Sequence, residues 1–188
     1  MLYFSVPKPE GSQLHIHTPG HTVCFAGSRY FSANAETASC LVNMLGSLGC
    51  QFITGCAQGV DRSFRRVFLN SKYKEKCFVA CAFSRRAEQM KGLSAAKVVP
   101  ENLPTKIALS KRTVWMVSFS SLVILFPSNP IGKGSALCLR TALSQGKPVF
   151  MVTGKKPDKN ESFWCIPSNL FGLIEGFWLV PRKEAGDE

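Results

Sequence analysis

The feature of the sequence that most constrains the fold is a recurring unit of strand, glycine-containing loop and helix. "TVCFAG" (Thr22–Gly27) is a short β-rich run that ends at glycine, and residues 33–48 then carry leucine and methionine at helical spacing. "CQFITG" repeats the strand, "CAQGVD" the loop, and residues 62–69 place phenylalanine and valine on one helical face. Strands that alternate with helices indicate an α/β fold with a parallel sheet.

Three further strands are predicted at residues 77–83, 121–126 and 147–154. The run "SLVILF" (121–126) is apolar on both faces, as a central parallel strand should be. Helices are predicted at 104–119 and 135–144, and residues 84–103 are expected to form a longer, less regular connection. The fold class is therefore α/β: a Rossmann-like open, mainly parallel sheet of five or more strands, with helices on both faces. The apolar face of the helix at 104–119 is predicted to comprise Ile107, Val114, Met116 and Val117.

The 188 residues are expected to form one domain with terminal additions. Residues 1–21 are assigned to an N-terminal extension, 22–155 to the Rossmann-like domain, and 156–188 to a polar linker and an aromatic-rich segment. This last segment is predicted to pack as an extra helix and edge strand or to form a dimer surface, which leaves a homodimer as one possible assembly. The three tryptophans are expected in the core.

The apolar stretches are too short or too interrupted to predict a membrane span. Residues 114–126 are too few, and 163–180 contain Pro167, Gly172 and Glu175. The N-terminal residues also lack the apolar run of a signal peptide. We therefore expect a cytoplasmic protein with no membrane partner.

The eight cysteines are expected to be reduced and mostly buried, because runs such as "VCFAG" and "CFVACA" use the thiol as a small apolar group. No C-x-x-C pair occurs. His15, His17 and His21 are interpreted as an ordinary lead-in rather than as a metal site. No metal and no cofactor is predicted.

The charge of the chain is strongly positive and unevenly distributed. Lysine and arginine number 23 against 12 acidic residues, which gives a net charge of +11. No carboxylate occurs between Glu101 and Asp158. Such a field attracts phosphates, either on a nucleotide or along a nucleic acid, and the alternative is that it serves solubility alone. The basic residues of this acid-free segment are Lys106, Lys111, Arg112, Lys133, Arg140, Lys147, Lys155 and Lys156.

Three loops are predicted at the carboxyl edge of the sheet, where backbone N–H groups and helix dipoles bind anions. They are "GSR", "TGCAQGVD" and "SNPIGKGS", and their glycines permit close backbone approach and positive φ. None matches G-x-G-x-x-G or a complete P-loop, which disfavours a dehydrogenase or a kinase. The candidate residues in these loops are Gly27, Ser28, Arg29, Gly55, Gln58, Gly59, Asp61, Lys133, Gly134 and Ser135.

The order and the amino-acid sequences of the loops resemble those of a known family. "FAGSR", "ITGCAQGVDRSFRRVFL", "KRTVWMVSFSSLVILFP" and "GKGSALCLRTALSQGKPVFMVTG" are similar to the Rossmann-like domain of DNA-processing protein A (DprA/Smf) and its relatives in the SLOG superfamily, including the YspA-like group. The resemblance spans residues 23–154. It implies that the three loops face phosphates and that Arg112 is a further basic residue of the site. Thr113 and Ser121 depart from the family's usual asparagine and acid.

The same superfamily includes nucleotide phosphoribohydrolases, which use a glutamate in P-G-G-x-G-T-x-x-E. In this chain the aligned stretch is "NPIGKGSALC", and Cys138 stands in the place of that glutamate. No catalytic residue is therefore predicted, and phosphoribohydrolase activity is expected to be absent. This favours a protein that is not an enzyme but leaves other catalysis open.

Several residues keep two interpretations. Arg29 either contacts a phosphate or is an exposed loop arginine, and Asp61 either complements the positive end of its helix or bonds a ligand hydroxyl. Arg65 and Arg66 are expected on a solvated helix face. Arg85 and Arg86 either line a nucleic-acid path or are solvated.

Two functions fit these observations. The first is a DprA-like protein that holds single-stranded DNA by its backbone, without catalysis. The second is a SLOG-type sensor or processing enzyme for a small nucleotide-derived ligand enclosed by the same loops.

Overall fold

The computed structural model describes residues 3–7, 13–17, 20–158 and 162–182. These described residues form two sheets. The small one pairs β1 (Tyr3–Pro7) with β2 (Gln13–His17) in antiparallel fashion. The strands of the large sheet are β3 (Thr22–Gly27), β4 (Gln51–Gly55), β5 (Cys77–Cys81), β6 (Ser94–Lys97), β7 (Leu122–Phe126), β8 (Val149–Met151), β9 (Phe163–Leu170) and β10 (Ile174–Pro181). The helices are α1 (Ala35–Ser47), α2 (Val60–Asn70), α3 (Ser84–Glu88), α4 (Thr105–Ser118) and α5 (Lys133–Ser144), and a 3₁₀ turn (Lys74–Lys76) precedes β5.

The large sheet has the strand order β6-β5-β4-β3-β7-β8-β10-β9. The first six strands are parallel, and β10 and β9 are added in antiparallel fashion. The chain builds outward from β3 to β6 and then returns to the other side of β3 with β7. This reversal creates a topological switch point between β3 and β7, and the predicted Rossmann-like fold class is confirmed.

The helices cover both faces of the sheet. On one face, α1 and α2 bury apolar residues against an aromatic cluster in which the rings of Phe25 and Phe64 stack with centroids 3.9 Å apart. On the other face, α4 and α5 pack through Met116, Val117 and Ala142. All five residues of β7 are buried, as the apolar run predicts for a central strand.

Two segments differ from the expected secondary structure. Residues 84–103 contain α3 and the edge strand β6, which pairs in parallel with β5. The aromatic-rich segment contains no helix within residues 162–182 and instead forms β9 and β10. Because β10 pairs with β8, this hairpin extends the main sheet. The predicted edge strand is thus present, and the predicted helix is wrong for the described residues.

The buried face of α4 also differs from the prediction. Ile107 and Val114 are 47% and 37% exposed, whereas Ala108, Arg112 and Met116 are buried. These three residues recur at intervals of four and share one face of the helix. The predicted apolar face is wrong for Ile107 and Val114, because a buried arginine occupies the middle of the stripe, and it is confirmed for Met116 and Val117, which are buried.

The tryptophans and cysteines follow the expected pattern in part. Trp178 is in the core, while Trp115 and Trp164 are half-buried. All eight cysteines are free thiols, and six of them are buried. Within the described part of the chain, no helix is both long enough and apolar enough to cross a bilayer.

Candidate functional site

The candidate site lies at the carboxyl edge of the sheet, at the switch point. Gly27 and Phe126, the last residues of β3 and β7, are register partners. The loops that follow them lead to α1 and α5, which cover opposite faces of the sheet. In open α/β sheets a ligand binds in the crevice between two such loops.

The first turn is anchored by Ser28. Its backbone N–H donates to the carbonyl oxygen of Phe126 (2.9 Å), and its carbonyl oxygen accepts from the N–H of Val60 at the start of α2 (3.1 Å). Its hydroxyl accepts from the N–H of Tyr30 (3.1 Å). Ser28 is buried, whereas the side chain of Arg29 is exposed. The turn is thus joined to β7 and α2, and Arg29 is the member of "GSR" whose side chain reaches solvent.

The glycines of the first two turns are required by contacts within the chain. A Cβ at Gly27 would lie 2.3 Å from the carbonyl oxygen of Phe126. Gly59 has φ +67° and ψ −129°, a conformation essentially restricted to glycine, and a Cβ there would lie 2.2 Å from the carbonyl oxygen of Ser28. Gly59 therefore lets the second turn press against the backbone of the first.

A buried ion pair lies above Gly55. Nη1 of Arg112 is 3.3 Å from Oδ2 of Asp61, and each side chain is under 10% exposed. The same carboxylate oxygen accepts from the backbone N–H of Ala57 (3.2 Å). A Cβ at Gly55 would fall 1.6 Å from Nη1 of Arg112, so only glycine leaves room for the pair.

These contacts account for Gly55, Asp61 and Arg112 without a ligand, and their phosphate-binding roles stay predictions. The carboxylate of Asp61 holds the loop that precedes α2, and both of its interpretations stay predictions. Nη1 of Arg112 also donates to Sδ of Met116 (3.1 Å), while its buried Nε has no partner among the described residues.

Arg65 was missed as a residue of this site. It was expected on a solvated face, but Nη1 of Arg65 donates to the carbonyl oxygens of Gly55 (2.7 Å) and Ala57 (2.8 Å). Burial lowers its pKa. Arg66 is exposed, as expected. The sequence does hold a signal, because Arg65 stands four residues after Asp61 and must share its helix face.

Cys56, in the second loop, is a further residue that the sequence did not single out. It is buried between the ends of β4 and β5, in one cluster with Cys81. A hydrogen bond from Cys81, together with the charge of Arg112, lowers the pKa of Cys56 to about 5. The same contact raises the pKa of Cys81. The charges of Arg112 and Asp61 act on this thiol in opposite directions, the first lowering its pKa and the second raising it.

The third turn is open. Lys133 and Gly134 are the first two residues of α5 and are exposed, whereas Ser135 is buried. A Cβ at Gly134 would meet no atom within 4 Å, and one at Gly132 only Oγ of Ser128 at 3.6 Å. Among the described residues, no side chain caps this helix. Its positive end is therefore accessible to an anion.

The remaining candidates are dispersed. Gln58 is exposed, and its Oε1 accepts from Nη1 of Arg62 (3.3 Å). Arg85 and Arg86 are exposed after β5, where a groove of about 340 Å³ is lined by them, Phe83 and Gln89. Cys138 is buried in the core against Cys24.

The described residues contain no group of three or more His, Cys, Asp or Glu side chains that could hold a metal ion. The side chains of His15 and His17 lie outside the described part of the structure.

The sheet order and the loops at the switch point define a Rossmann-like α/β domain with an exposed candidate site at its carboxyl edge. Among solved structures, the chain is similar to DNA processing protein A (DprA) from Helicobacter pylori, with a TM-score of 0.57 and 18% identity over 74% of this chain and 68% of that protein. It is also similar to DprA from Streptococcus pneumoniae, with a TM-score of 0.56 and 19% identity over 72% of this chain. The fold is therefore DprA-like, as the sequence resemblance predicts.

The chain spans about half (51%) of the S. pneumoniae protein. The H. pylori protein binds single-stranded DNA in a unique mode. No protein-family model and no curated protein sequence matches the chain.

Proposed function

We propose that the chain binds single-stranded DNA along the carboxyl edge of its sheet, without catalysis. The observation that carries this proposal is the exposure of Arg29 and Lys133 in loops that leave neighbouring strands at the switch point. Lys133 stands at the uncapped start of α5, whose N–H groups suit a phosphate, and Arg29 stands on the anchored "GSR" turn. The two loops would hold successive phosphates of one strand.

The basic character of this edge extends beyond the two loops. Exposed cations are present after β5 (Arg85, Arg86), in the first turn of α4 (Lys106) and after β8 (Lys155, Lys156). From β6 to β8 the edge measures about 24 Å, because neighbouring strands are about 4.8 Å apart. The edge also carries exposed carboxylates at Glu36, Glu88 and Glu101, the last paired with Lys97. The net charge of +11 nevertheless favours a polyanion.

The buried residues of the second loop have a supporting part in this proposal. Asp61, Arg112 and Arg65 fix the loop, and Gly59 fixes the loop against the "GSR" turn. They would position Arg29 without touching DNA. The DprA-like fold, found in a protein that binds single-stranded DNA, supports the same conclusion.

Fluorescence anisotropy of a labelled oligonucleotide at several salt concentrations tests the proposal. Affinity should fall with salt at a slope of about −0.7 per neutralised phosphate. Arg29→Ala and Lys133→Ala should each weaken binding by about 1.5–3 kcal/mol and reduce the slope. Arg140→Ala is the matched control, because it removes an exposed cation of the acid-free segment from the middle of α5. Absence of binding at low salt would disprove the proposal.

A small nucleotide-derived ligand is the second candidate. The open space at Gly132 and Gly134, close to the anchored first turn, favours a compact phosphate-bearing molecule. Titration calorimetry with nucleotides, and competition of each nucleotide against labelled DNA, separates the two functions. Saturable nucleotide binding without DNA binding would select this candidate.

A further inference from the structure

Two aromatic residues beside Arg29 are exposed to solvent. Tyr30 is 97% exposed and Phe31 is 47% exposed. They directly follow the "GSR" turn, in the loop that leads from β3 to α1. A fully hydrated tyrosine ring next to a half-hydrated phenylalanine ring leaves a large apolar area in water, which folding alone does not favour.

The two exposed rings belong to a loop that hydrogen bonds hold at both ends. At its start, the N–H of Tyr30 donates to Oγ of Ser28, and Ser28 is bonded to β7 and α2. At its end, Ala33 is buried, and Oδ1 of Asn34 accepts from the N–H groups of Glu36 (2.9 Å) and Thr37 (3.1 Å). The chain is fixed on both sides, so the loop presents its rings to solvent.

We propose that Tyr30 and Phe31 stack on the unpaired bases of a single-stranded nucleic acid whose phosphate contacts Arg29. This inference rests on the proposed function and names the side chains that distinguish a single strand from a duplex. Bases in a single strand offer their faces to an aromatic side chain, whereas bases in a duplex are already stacked on each other.

Charge complementarity selects the occupant. Arg29 immediately precedes the two rings, and Lys133 lies across the switch point. A strand that places a phosphate on these cations brings its own bases within reach of Tyr30 and Phe31. An apolar protein partner would satisfy the rings but would leave the cations unmatched. Every base has a π face, so this mode of binding predicts little sequence preference.

Paired oligonucleotides test the stacking directly. One is an oligothymidylate, and the other has the same length and phosphates but abasic sugars. The wild-type protein should bind the base-containing strand about 5- to 150-fold more tightly, the factor expected for one stacked base. In Tyr30→Ala this preference should shrink markedly, while the salt slope stays unchanged because no charge has been removed. Phe31→Ala should reduce the preference in the same direction, and Tyr30→Phe should restore it because the ring is retained.

Phe119→Ala is the matched control. Phe119 is 63% exposed, but it follows the C-terminal end of α4 and lies away from the three loops. It should leave both affinities unchanged. Thermal melts of all variants establish that each one folds.

The outcomes separate the stacking proposal from the binding proposal. Wild-type protein that binds both strands equally, or Tyr30→Ala and Phe31→Ala that keep the full preference, would overturn stacking while DNA binding stands. Equal losses on both strands would assign the rings to backbone contact and also overturn it. If the variants instead change the self-association of the free protein, the rings belong to a protein interface. Wild-type protein that binds neither strand would reject the proposed function and the stacking together.

Discussion

Nη1 of Arg112, on α4, lies 3.3 Å from Oδ2 of Asp61, on α2, and the pair is buried directly above the Cα of Gly55. The two helices cover opposite faces of the sheet, so the contact is made over the carboxyl end of β4. The pair thereby links both helical layers through the second loop. The residues of this loop are therefore constrained by contacts with one another, before any contact with a ligand is considered.

Breaking this pair should cost much more than breaking an exposed one. Asp61→Asn leaves the guanidinium of Arg112 buried without its carboxylate partner and should lower the free energy of unfolding by about 3–5 kcal/mol. Glu101→Gln is the control, because Glu101 pairs with Lys97 but its side chain is 76% exposed, and its loss should cost about 0–1 kcal/mol. Urea denaturation measures both. Equal costs would contradict a structural role for the Arg112 pair.

Gly59 should be intolerant of any side chain, for two separable reasons. Gly59→Ala meets a positive φ and a contact of 2.2 Å with the carbonyl oxygen of Ser28. Gly146→Ala is the matched control, because Gly146 has φ +69° and open space around its Cβ position. We expect the first variant to lose at least about 1–3 kcal/mol and clearly more than the second. Similar thermal melts would show that the turns do not depend on this contact. Since the displaced turn carries Arg29, oligonucleotide affinity should also fall in Gly59→Ala.

The strands and most helices could be predicted because their apolar patterns are local. β7 is apolar at every position and is buried at every position. The face of α4 could be predicted only in part, because Arg112 lies within its buried stripe and its partner stands 51 residues earlier in the chain. β6 was missed for a related reason, since "SAAK" has no β-branched residue and is a strand only because β5 offers its edge.

The candidate loops were located from the sequence, but the reasons for their glycines were not. The sequence does not distinguish a glycine that makes room for a neighbouring loop from a glycine that makes room for a ligand. Gly27, Gly55 and Gly59 each face atoms of this chain at contact distance, whereas Gly134 faces open space. Tyr30 escaped notice because the exposure of a single aromatic side chain has no sequence pattern.

The thiol of Cys56 should ionise well below neutral pH. The hydrogen bond from Cys81 and the charge of Arg112 lower its pKa from about 9 to about 5. Thiolate absorbance in the ultraviolet, followed against pH, should show one group that titrates near pH 5 and disappears in Cys56→Ser. Cys50→Ser is the control, because burial raises the pKa of Cys50 to about 11.

The same shift makes a prediction for stability. The folded state releases the proton of Cys56 at a lower pH than the unfolded state does, so ionisation of this thiol raises the free energy of unfolding. The stabilisation is complete above about pH 9 and is lost as pH falls through about 5. Between these limits, wild-type protein should gain stability over Cys56→Ser as pH rises. A constant difference would mean that Cys56 stays protonated.

No free base should be released from nucleoside monophosphates. The position that aligns with the phosphoribohydrolase glutamate is Cys138, which is buried in the core. Prolonged incubation followed by chromatography is the measurement. Release of base in proportion to protein, and its loss in Arg29→Ala, would show that the site is catalytic by other residues.

Gly134 should be the glycine at which a side chain affects binding and spares the fold. It occupies the second position of α5 with no atom within 4 Å of its Cβ position, so the Cβ of Gly134→Leu introduces no clash. Leucine also favours a helix over glycine by about 0.5–1 kcal/mol, and the melting temperature should stay constant or rise. If a phosphate rests on the N–H groups at the start of α5, the new side chain should obstruct it and cost about 1.5–3 kcal/mol of oligonucleotide affinity. Ser110→Leu, on the exposed surface of α4, controls for the added apolar group. If Gly134→Leu binds as tightly as wild type, the phosphate does not use this helix, and the contacts at Arg29 must carry the binding.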